Sequence, residues 1–441
     1  MTGLTYNELI RELFPRLTGG IRWGIERTAR LLSAVGDPHR AFRSIHVGGT
    51  NGKGSVAATL SAVLGETGRR TGLYTSPHLC TFRERIRIDG EPLGEDALVA
   101  VARRLWPVIR REEPSFFEAT TAIAFLAFAE AGVEAAVVEV GLGGRLDATN
   151  VIEPEVTVLT NVAMDHAEHL GDTLEAIAGE KAGIIKPGAP VVTAMEPGIV
   201  LEVFQRRARE VGARIRALGP GEVMDVAVGL DGTRLRIDTE PWGELSLHTP
   251  LIGIHQARNT ALAVRALESL APALRPDGAA VLRGVERVKW PGRLQRERIG
   301  GETWIFDAAH NPAGVEALTA SLRLLPLARP VAAVVGILDD KDWRQMLPPI
   351  EGFADHLVLT TPPSAPPHRR WDPEAVRAEI GGGAAVVVED FDRALAYARA
   401  SAPGGTILVT GSFHTVGDAL IALGRAPFGA DAPLPDAPTG V

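Results

Sequence analysis

Residues 45–55 read IHVGGTNGKGS, and this stretch decides the fold of the first half of the chain. It is typical of a buried strand that ends in a glycine-rich turn and continues into a helix beginning near Gly54. Backbone N–H groups in such a turn point inward and, together with the positive end of the helix, attract a phosphate. Lys53 would neutralise the outer phosphates, and the Ser55 hydroxyl could reach a bound Mg²⁺. The stretch therefore predicts binding of a nucleoside triphosphate.

The match to the common phosphate-loop pattern G-x-x-x-x-G-K-[ST] is incomplete. That pattern needs glycine where Val47 stands and a hydroxyl where Gly54 stands. On this segment alone, the alternative is a tight strand-to-helix turn that binds no nucleotide. The other segments of the chain decide between the two interpretations.

Composition and charge limit the class of protein. The chain has 441 residues, too many for one core, so we expect two domains. It contains no long apolar run and no basic-then-apolar leader, and its single cysteine, Cys80, cannot form an internal disulfide. The net charge is −8, without a basic block, which argues against a nucleic-acid substrate. We expect a cytoplasmic protein that binds neither a membrane nor nucleic acid.

Lysine is unusually scarce in this chain. Only five of its 46 basic residues are lysines. Since arginine fills nearly every general surface role, a remaining lysine is more often one that arginine cannot replace. Such a lysine acts as a compact charge on phosphate, or loses its proton and reacts. The five positions are Lys53, Lys181, Lys186, Lys289 and Lys341.

Short β-branched apolar runs alternate with helical patterns in the first half of the chain. This alternation predicts a mostly parallel sheet covered on both faces. Residues 222–249 alternate in polarity around a DG turn and predict a small antiparallel sheet. We expect helices over 1–44, 56–67, 97–112, 118–131, 173–185 and 255–270, and strands over 71–74, 135–140, 156–160 and 190–194.

A second β/α alternation follows a boundary near residues 290–293, WPGR. It predicts a compact doubly wound domain. We therefore expect domains over 1–290 and 291–425, and a disordered tail over 426–441, which is rich in Pro, Ala and Gly. The expected strands of the second domain are 303–307, 331–336, 356–360, 384–388 and 406–410.

Three side chains near the ends of the first strands are candidates for cation binding. Glu139 ends an apolar strand beside the phosphate loop, where a carboxylate commonly holds Mg²⁺; a helix-cap or loop charge is the alternative. His166 follows the next strand end and faces the same crevice, although a lone histidine is often structural. Lys181 lies among small residues on a helix. With a lowered pKa it could be carbamylated by CO₂ and bind a second cation, whereas the alternative is a solvated helix lysine.

Further polar groups follow other strand ends. Ser76 follows the strand over 71–74, and Phe117 opens a helix with aromatic surface that could instead be core packing. In the second half, Asn259 lies in the motif HQARN, Asp307 and His310 lie in FDAAHNP, and the motifs DDKD and TGSFHTVG follow later strands. Since ligands bind at the carboxyl ends of parallel strands, these segments predict the second wall of one cleft.

With these motifs in view, the chain resembles the Mur ligase superfamily and, more closely, the bacterial folylpolyglutamate synthase/dihydrofolate synthase family. The likeness covers about residues 22–425, and the departure of the phosphate loop from the common pattern is the family's own form. The motifs that carry the likeness, in order, are RWGIERTARLL, HVGGTNGKGS, GLYTSPHL, FFEATTAIAF, EVGLGGRLDATN, NVAMDHAEHLG, IAGEKAGIIKPG, HQARN, PGR, FDAAHNP and DDKD.

The resemblance implies roles for particular residues. Nucleotide contacts would come from Gly49, Thr50, Asn51, Gly52, Lys53, Gly54, Ser55, Asn259, Arg293 and Asp307. One Mg²⁺ would be held by Ser76 and Glu139, and a second by His166 and carbamylated Lys181. His310 and Ser412 would help to seat glutamate, and Phe117 and Asp147 would lie near the pterin and pteroate portion. Lys53, Lys181, His166 and His310 would be the catalytic set.

The resemblance also implies a fold and an activity. The fold would be α/β: an N-terminal P-loop ATPase-like, mostly parallel sheet with a small antiparallel sheet, followed by a C-terminal doubly wound Rossmann-like domain on the glutamate side. The activity would be ATP-dependent addition of L-glutamate to dihydropteroate or reduced folates through an acyl phosphate, in a monomer. His414 stands where the family usually has an aromatic residue, which leaves the glutamate contacts open.

Two other functions remain as alternatives at this point. One is a different Mur-type amino acid ligase, which the motifs FFEATTAIAF and GLGGRLDATN disfavour. The other is a P-loop nucleotide-binding protein without a ligase step. Such a protein would need neither a second cleft wall nor a second set of metal ligands, so His166, Lys181 and FDAAHNP disfavour it.

Overall fold

The computed structural model describes residues 5–14, 23–381 and 385–431. The helix expected over residues 1–44 therefore lies partly outside the described residues, at 1–4 and 15–22. The same holds for residues 432–441 of the tail that was expected to be disordered, and for residue 384 of an expected strand.

The first domain is built on an eight-stranded sheet in the order β4-β3-β2-β5-β1-β6-β7-β8. Its strands β2, β5, β1, β6, β7 and β8 are parallel, and β3 and β4 form an antiparallel edge next to β2. The strands are β1 (Arg43–Gly48), β2 (Thr71–Tyr74), β3 (Ile86–Ile88), β4 (Glu91–Pro92), β5 (Ala135–Glu139), β6 (Val156–Leu159), β7 (Val191–Thr193) and β8 (Ile215–Ala217).

The register at the centre of this sheet sets the position of the site. β1 pairs with β5 on one side, where Val47 lies opposite Glu139, and with β6 on the other, where Gly48 lies opposite Leu159. The three carboxyl ends therefore lie side by side. The strand order reverses at β1, and such a reversal opens a crevice in which ligands bind.

Helices cover both faces of the two large sheets. The described part of the chain contains α1 (Tyr6–Leu13), α2 (Glu26–Ser33), α3 (Lys53–Gly65), α4 (Glu95–Glu112), α5 (Phe116–Glu130), α6 (Ala167–Leu170), α7 (Leu174–Ala182), α8 (Ile199–Glu210), α9 (Ile254–Glu268), α10 (Gly278–Arg287), α11 (Pro312–Leu322), α12 (Trp343–Glu351), α13 (Pro373–Glu379), α14 (Phe391–Ser401) and α15 (Phe413–Ala422).

Helix α3, which follows the phosphate loop, is buried on almost every side. It is apolar all round because the sheet, α9 and α10 enclose it; Val56, Leu60 and Val63 have no exposed surface. Burying a side chain of this size contributes about 1.5–3 kcal/mol each. The first turn of α3 is thus fixed by a rigid core.

A small antiparallel sheet in the order β11-β10-β9 follows, as the alternating sequence predicted. It consists of β9 (Met224–Gly229), β10 (Gly232–Thr239) and β11 (Gly243–Thr249). Its apolar face, with Leu235 and Leu247, joins the core around α3.

The second domain is a six-stranded sheet in the order β12-β13-β17-β14-β15-β16, parallel except for β12. Separate apolar cores cover its two faces. The fold class expected from the sequence is confirmed. The strands are β12 (Gln295–Ile299), β13 (Glu302–Asp307), β14 (Val331–Val335), β15 (His356–Leu359), β16 (Ala385–Val387) and β17 (Thr406–Thr410).

The structure differs from the sequence prediction in several elements, including the helices α8 and α10, which were not predicted. β3, β4, β8 and β12 were not predicted, because they are short or, as in β12, rich in charge. Residues 43 and 44 begin β1 rather than ending a helix. Residues 426–431, in the tail expected to be disordered, lie against the first domain, where the Asp431 carboxylate accepts hydrogen bonds from Tyr6 and Thr81.

Within the described residues, no helix combines the length and the apolarity that are needed to cross a bilayer.

Candidate active site

The predicted nucleotide and cation residues line one cavity between the facing edges of the two large sheets. The first wall comes from the loops after β1, β2, β5 and β6 together with residues of α7 and α9. The second wall comes from the segment before β12, the loop after β13 and the start of α11. The predicted residues that line it are Gly49, Thr50, Asn51, Gly52, Lys53, Gly54, Ser55, Ser76, Glu139, His166, Lys181, Asn259, Arg293, Asp307 and His310.

The phosphate loop is held from below by the segment after β6. The Thr50 N–H donates to the Asn161 carbonyl, and the Asn51 N–H to the Asn161 side-chain oxygen, each at 2.8 Å. Gly52 caps α3 with φ of 84°, and a Cβ there would lie 2.7 Å from the Asn259 amide oxygen. The Lys53 side chain folds back onto the loop, and its Nζ donates a hydrogen bond to the Thr50 carbonyl at 3.0 Å. The loop is thus preformed around a space suited to an anion.

Packing explains why this loop departs from the common phosphate-loop pattern. A Cβ on Gly54 would lie 2.6 Å from the Trp290 indole, so a serine or threonine does not fit there. The hydroxyl stands one residue later instead, at Ser55. Its Oγ accepts a hydrogen bond from Gln256 Nε2 at 3.2 Å.

Glu139 lies at the end of β5 as a buried carboxyl group. Its Oε2 accepts a hydrogen bond from the Ser76 N–H at 3.1 Å. Burial raises the pKa of Glu139 to about 7, although the positive charges of Lys53 and Arg293 oppose the shift. Because an ionised carboxylate is costly to bury, a cation at this point would favour the charged form. The residue fits a magnesium ligand of the kind that works together with substrate phosphates.

Lys181 is buried beneath the phosphate loop, where its Nζ donates to the Gly49 carbonyl at 2.9 Å. Burial, with a further contribution from Lys53, lowers the pKa of Lys181 to about 7. A large fraction of this amine is therefore neutral near neutral pH. Neutral amines are the form that reacts with CO₂, so the position fits the predicted carbamate.

His166 lies in the segment after β6, immediately before α6, in an uncommon backbone conformation. Its φ is 53°, in the left-handed region that is uncommon for residues other than glycine, although Asn, Asp and His are enriched there. Desolvation by the surrounding side chains and the nearby Lys341 ammonium lower the pKa of His166 to about 4. The imidazole is therefore neutral at physiological pH, as a metal ligand must be.

The second wall is organised by Asp307 at the end of β13. Its carboxylate accepts hydrogen bonds from the Leu294 and Ala309 N–H groups, each at 2.9 Å, and burial raises its pKa despite Arg293. The Arg293 guanidinium lies 4.9 Å from the centroid of the Phe413 ring. His310 Nδ1 donates to the Ala308 carbonyl at 3.0 Å, which leaves Nε2 as the acceptor.

Polar side chains without a predicted role connect the two walls. Lys341 Nζ donates to Asp165 Oδ1 at 2.9 Å, and Asn311 Nδ2 to Asp165 Oδ2 at 3.2 Å. Although burial acts in the opposite direction, the Lys341 charge holds the pKa of Asp165 well below its usual range. Local signals existed for all three: Asp165 precedes His166, Asn311 precedes a proline at a helix start, and Lys341 is one of the scarce lysines.

Three predicted substrate residues do not line this cavity. The Phe117 ring packs on Gly141, where a Cβ would lie 2.3 Å from it, so Phe117 lies behind a wall residue. The Asp147 carboxylate accepts hydrogen bonds from the Leu142 and Thr149 N–H groups. Ser412 Oγ caps α15 by accepting from the Thr415 N–H at 3.0 Å. Their contacts with substrate stay predictions.

A cation at this site would depend on more than protein side chains. Among the described residues, no three His, Cys, Asp or Glu side chains group closely enough to hold a metal ion by themselves. Mg²⁺ commonly uses one or two carboxylates and completes its shell with phosphate oxygens and water. Glu139 beside the phosphate loop is consistent with that arrangement.

Comparison with known proteins defines the class. Residues 47–267 match the Mur ligase middle domain, and residues 292–413 match the Mur ligase glutamate ligase domain. The chain therefore contains two domains of the Mur ligase class.

Individual relatives identify the family within the Mur ligase class. The chain is 36% identical, over 79% of its length and 83% of the relative, to dihydrofolate synthase/folylpolyglutamate synthase of Bacillus subtilis. Folylpolyglutamate synthase of Mycobacterium tuberculosis, complexed with ADP, superposes with a TM-score of 0.87 and 35% identity over 97% of this chain and 98% of that one.

Escherichia coli FolC, in complex with DHPP and ADP, gives a TM-score of 0.84 with 31% identity over 95% and 98% of the two chains. The chain belongs to the folylpolyglutamate synthase/dihydrofolate synthase family of Mur ligases. This confirms the resemblance and the ligase class, and it removes the nucleotide-binding protein without a ligase step from contention.

Proposed function

We propose that the chain uses ATP to join L-glutamate to dihydropteroate, to reduced folates, or to both. One observation carries the proposal: a preformed phosphate loop and a wall bearing His310 and Arg293 face each other across one cavity. The FolC structure with DHPP and ADP supports the substrate class, since that relative is similar over nearly the whole chain.

ATP would lie with its phosphates on residues 49–55. The N-terminus of α3 and the loop N–H groups attract the phosphates, and Lys53 supplies a compact positive charge. Asn259 lies against Gly52, and Arg293 and Asp307 lie on the opposite wall, which suits contacts with the rest of the nucleotide. The loop must be rigid to hold the γ-phosphate in line, and the core around α3 supplies that rigidity.

Two Mg²⁺ ions would neutralise the phosphate charge when bound. Ser76 and Glu139 would hold one, and His166 and a carbamate on Lys181 the other. The carbamate would form when the neutral Nζ adds to CO₂ and releases one proton. Arginine at this position could not react in this way.

The reaction would proceed in two steps. A carboxylate oxygen of the acceptor attacks the γ-phosphorus in line, ADP leaves, and an acyl phosphate forms. The amine of glutamate then attacks the activated carbonyl, and phosphate leaves as the amide forms. Burial lowers the pKa of His310 to about 4, so its Nε2 is unprotonated at neutral pH and can accept a hydrogen bond from the incoming amine.

Water must be kept away from the acyl phosphate, which would otherwise hydrolyse. The two walls touch through Asp165, Asn311 and Lys341, so the cleft is bridged on one side. In this proposal residues 1–290 carry the nucleotide and residues 291–425 carry glutamate, in a cytoplasmic monomer.

The test is ADP release by the purified protein with ATP, Mg²⁺ and L-glutamate, with dihydropteroate or tetrahydrofolate added separately. Turnover with both acceptors supports a bifunctional enzyme, and turnover with one assigns that activity alone. Lys53→Ala is the control and should lower turnover about 10²–10³-fold, the usual effect of removing one charge-stabilising donor. ADP release that is the same with and without the acceptors would contradict the proposal, because the ligase step releases ADP only when an acceptor is activated. No ADP release with either acceptor would also contradict it and would favour another Mur-type substrate.

A further inference from the structure

Asn311 contacts three parts of the site: the phosphate loop, the segment that carries His166, and the start of α11. It is 2% exposed and immediately follows His310. It is the N-cap residue of α11, where its Oδ1 accepts from the Gly314 N–H at 2.8 Å. That bond alone would be served equally well by serine or aspartate, the other common N-cap residues.

The same amide also reaches the opposite wall. Asn311 Nδ2 donates to Asn51 Oδ1 at 3.0 Å, and Asn51 Nδ2 donates to Asn311 Oδ1 at 3.2 Å. This reciprocal pair needs an amide on both residues. Asn51 belongs to the phosphate loop, and its backbone is fixed by the segment after β6 through Thr160 and Asn161. A displacement of the loop would therefore be transmitted directly to the start of α11.

Asp165 joins the same network. Its Oδ2 accepts from Asn311, and its Oδ1 accepts from Lys341, whose side chain is only 8% exposed. Asn311 thus holds the phosphate loop and the segment carrying His166 at once, and Lys341 holds that segment from a second point. Both links join the nucleotide wall to the wall bearing His310.

We propose that Asn311 is a positioning residue that couples the phosphate loop to the glutamate-side wall. It holds His310 in register with the acyl phosphate and keeps the cleft closed to water while that intermediate exists. This inference rests on the proposed function. Without the amide, ATP would still bind and react, but a larger share of the acyl phosphate would hydrolyse before glutamate attacks.

The test separates this role from helix capping. Asn311→Ser keeps an oxygen for the Gly314 N–H but is too short for Asn51. Asn311→Asp also keeps the cap, removes the donor, and places a carboxylate against Asp165. Asn51→Ala breaks the same pair from the other side with the cap of α11 intact. The measurements are glutamylated product formed per ADP released, ADP affinity by calorimetry, and the midpoint of thermal unfolding.

For Asn311→Ser we expect ADP affinity within about twofold of wild type and a product-to-ADP ratio at least about tenfold lower, because small misplacements of reacting groups are this costly. The product-to-ADP ratio of Asn311→Asp should be lower still. The double variant Asn51→Ala/Asn311→Ser should have a ratio no lower than that of the more affected single variant. A wild-type ratio in Asn311→Ser would overturn the proposal. So would a parallel loss of ADP affinity and thermal stability, which would indicate a merely structural role.

A second measurement keeps this inference distinct from the proposed reaction. If wild-type protein forms no glutamylated product, the proposed function fails, and coupling is then read from hydrogen–deuterium exchange with ADP. ADP should slow exchange at the start of α11 in wild type, and this effect should be absent in Asn311→Ser. No ADP-dependent protection of α11 in wild type would overturn the coupling.

Discussion

Lys181 shows how burial alone can prepare a side chain for chemistry. Its amine has a pKa of about 7, because desolvation under the phosphate loop and the neighbouring Lys53 disfavour the charged form. Above that pH the amine is neutral and can add CO₂, whereas below it the protonated form cannot.

We predict that activity falls as the pH is lowered through about 7 and that added bicarbonate restores part of it. Lys181→Arg, which keeps a positive charge, should be inactive, while Lys181→Ala should recover some activity with short-chain carboxylates. Steady-state rates and ¹³C NMR of protein in labelled bicarbonate check this. Full activity in either variant would exclude the carbamate.

Glu139 gives a prediction about stability. Its folded pKa, about 7, is raised above the ordinary value of 4.5. Between these values the folded state keeps a proton that the unfolded chain has released, so stability falls as pH rises through the window. Above about pH 7 the full loss of unfolding free energy is reached, and for a pKa shift of this size it is on the order of 3 kcal/mol.

Without Mg²⁺ and nucleotide, Glu139→Gln should therefore be more stable than wild type at about pH 8 but close to it at about pH 4.5. Urea unfolding at both pH values measures the difference. An equal difference in unfolding free energy between variant and wild type at the two pH values would show that the carboxyl group is not held protonated by burial. This variant should also need more Mg²⁺ for turnover or lose turnover, because it removes one ligand of one of the two proposed ions.

How well single residues can be predicted depends on where their partners lie. The rule that strand ends share an edge identified Glu139, His166, Asp307 and His310, which the structure places in one cavity. Asp165 and Asn311 received no role, because their partners lie on the other domain. The relative position of two domains leaves no periodic pattern in the sequence.

At the scale of elements, the phosphate loop and α3 act as one rigid unit. The sequence predicted this strand, turn and helix because they combine an apolar run, several glycines and a buried helical pattern. It did not explain Gly54, whose reason is the Trp290 ring from a distant part of the chain. The unpredicted edge strands were missed for a different reason, which is local. Strands as short as β4 or as charged as β12 have little apolar pattern to detect.

Replacing Gly54 tests this packing. Gly54→Ser restores the common phosphate-loop hydroxyl but forces Trp290 to move, so we expect a loss of about 1–3 kcal/mol in unfolding free energy and weaker ADP binding. Gly65→Ser is the matched control, because it lies on the same helix and a Cβ there meets nothing closer than 4.0 Å. Thermal unfolding and calorimetry compare the two. Equal stability of both variants would contradict the steric explanation.

At the scale of the whole molecule, the chain returns to the first domain near its end. The Asp431 carboxylate accepts hydrogen bonds from the Tyr6 hydroxyl at 2.8 Å, the Thr81 hydroxyl at 2.7 Å and the Phe82 N–H at 2.7 Å. The Arg87 guanidinium lies 4.5 Å from the Phe428 ring. These contacts hold residues 426–431 on the segment between β2 and β3, next to the loop that carries Ser76.

We predict that Asp431→Ala lowers the free energy of unfolding by about 1–3 kcal/mol, because it leaves the Tyr6 hydroxyl and the Phe82 N–H without their acceptor. Asp431→Asn, which keeps an acceptor, should lose less. Chemical denaturation measures both. Wild-type stability in Asp431→Ala would show that residues 426–431 add nothing to the first domain.

The central claim, that a carboxylate is activated by the γ-phosphate before glutamate attacks, has one direct test. Dihydropteroate or tetrahydrofolate labelled with ¹⁸O in its reacting carboxylate is incubated with the protein, ATP, Mg²⁺ and L-glutamate, and the phosphate is analysed by mass spectrometry. The account predicts one ¹⁸O atom in the released phosphate for each amide formed, because the bridging oxygen of the acyl phosphate leaves with phosphorus. Amide formation with unlabelled phosphate, or no glutamylated product with either acceptor, would contradict it.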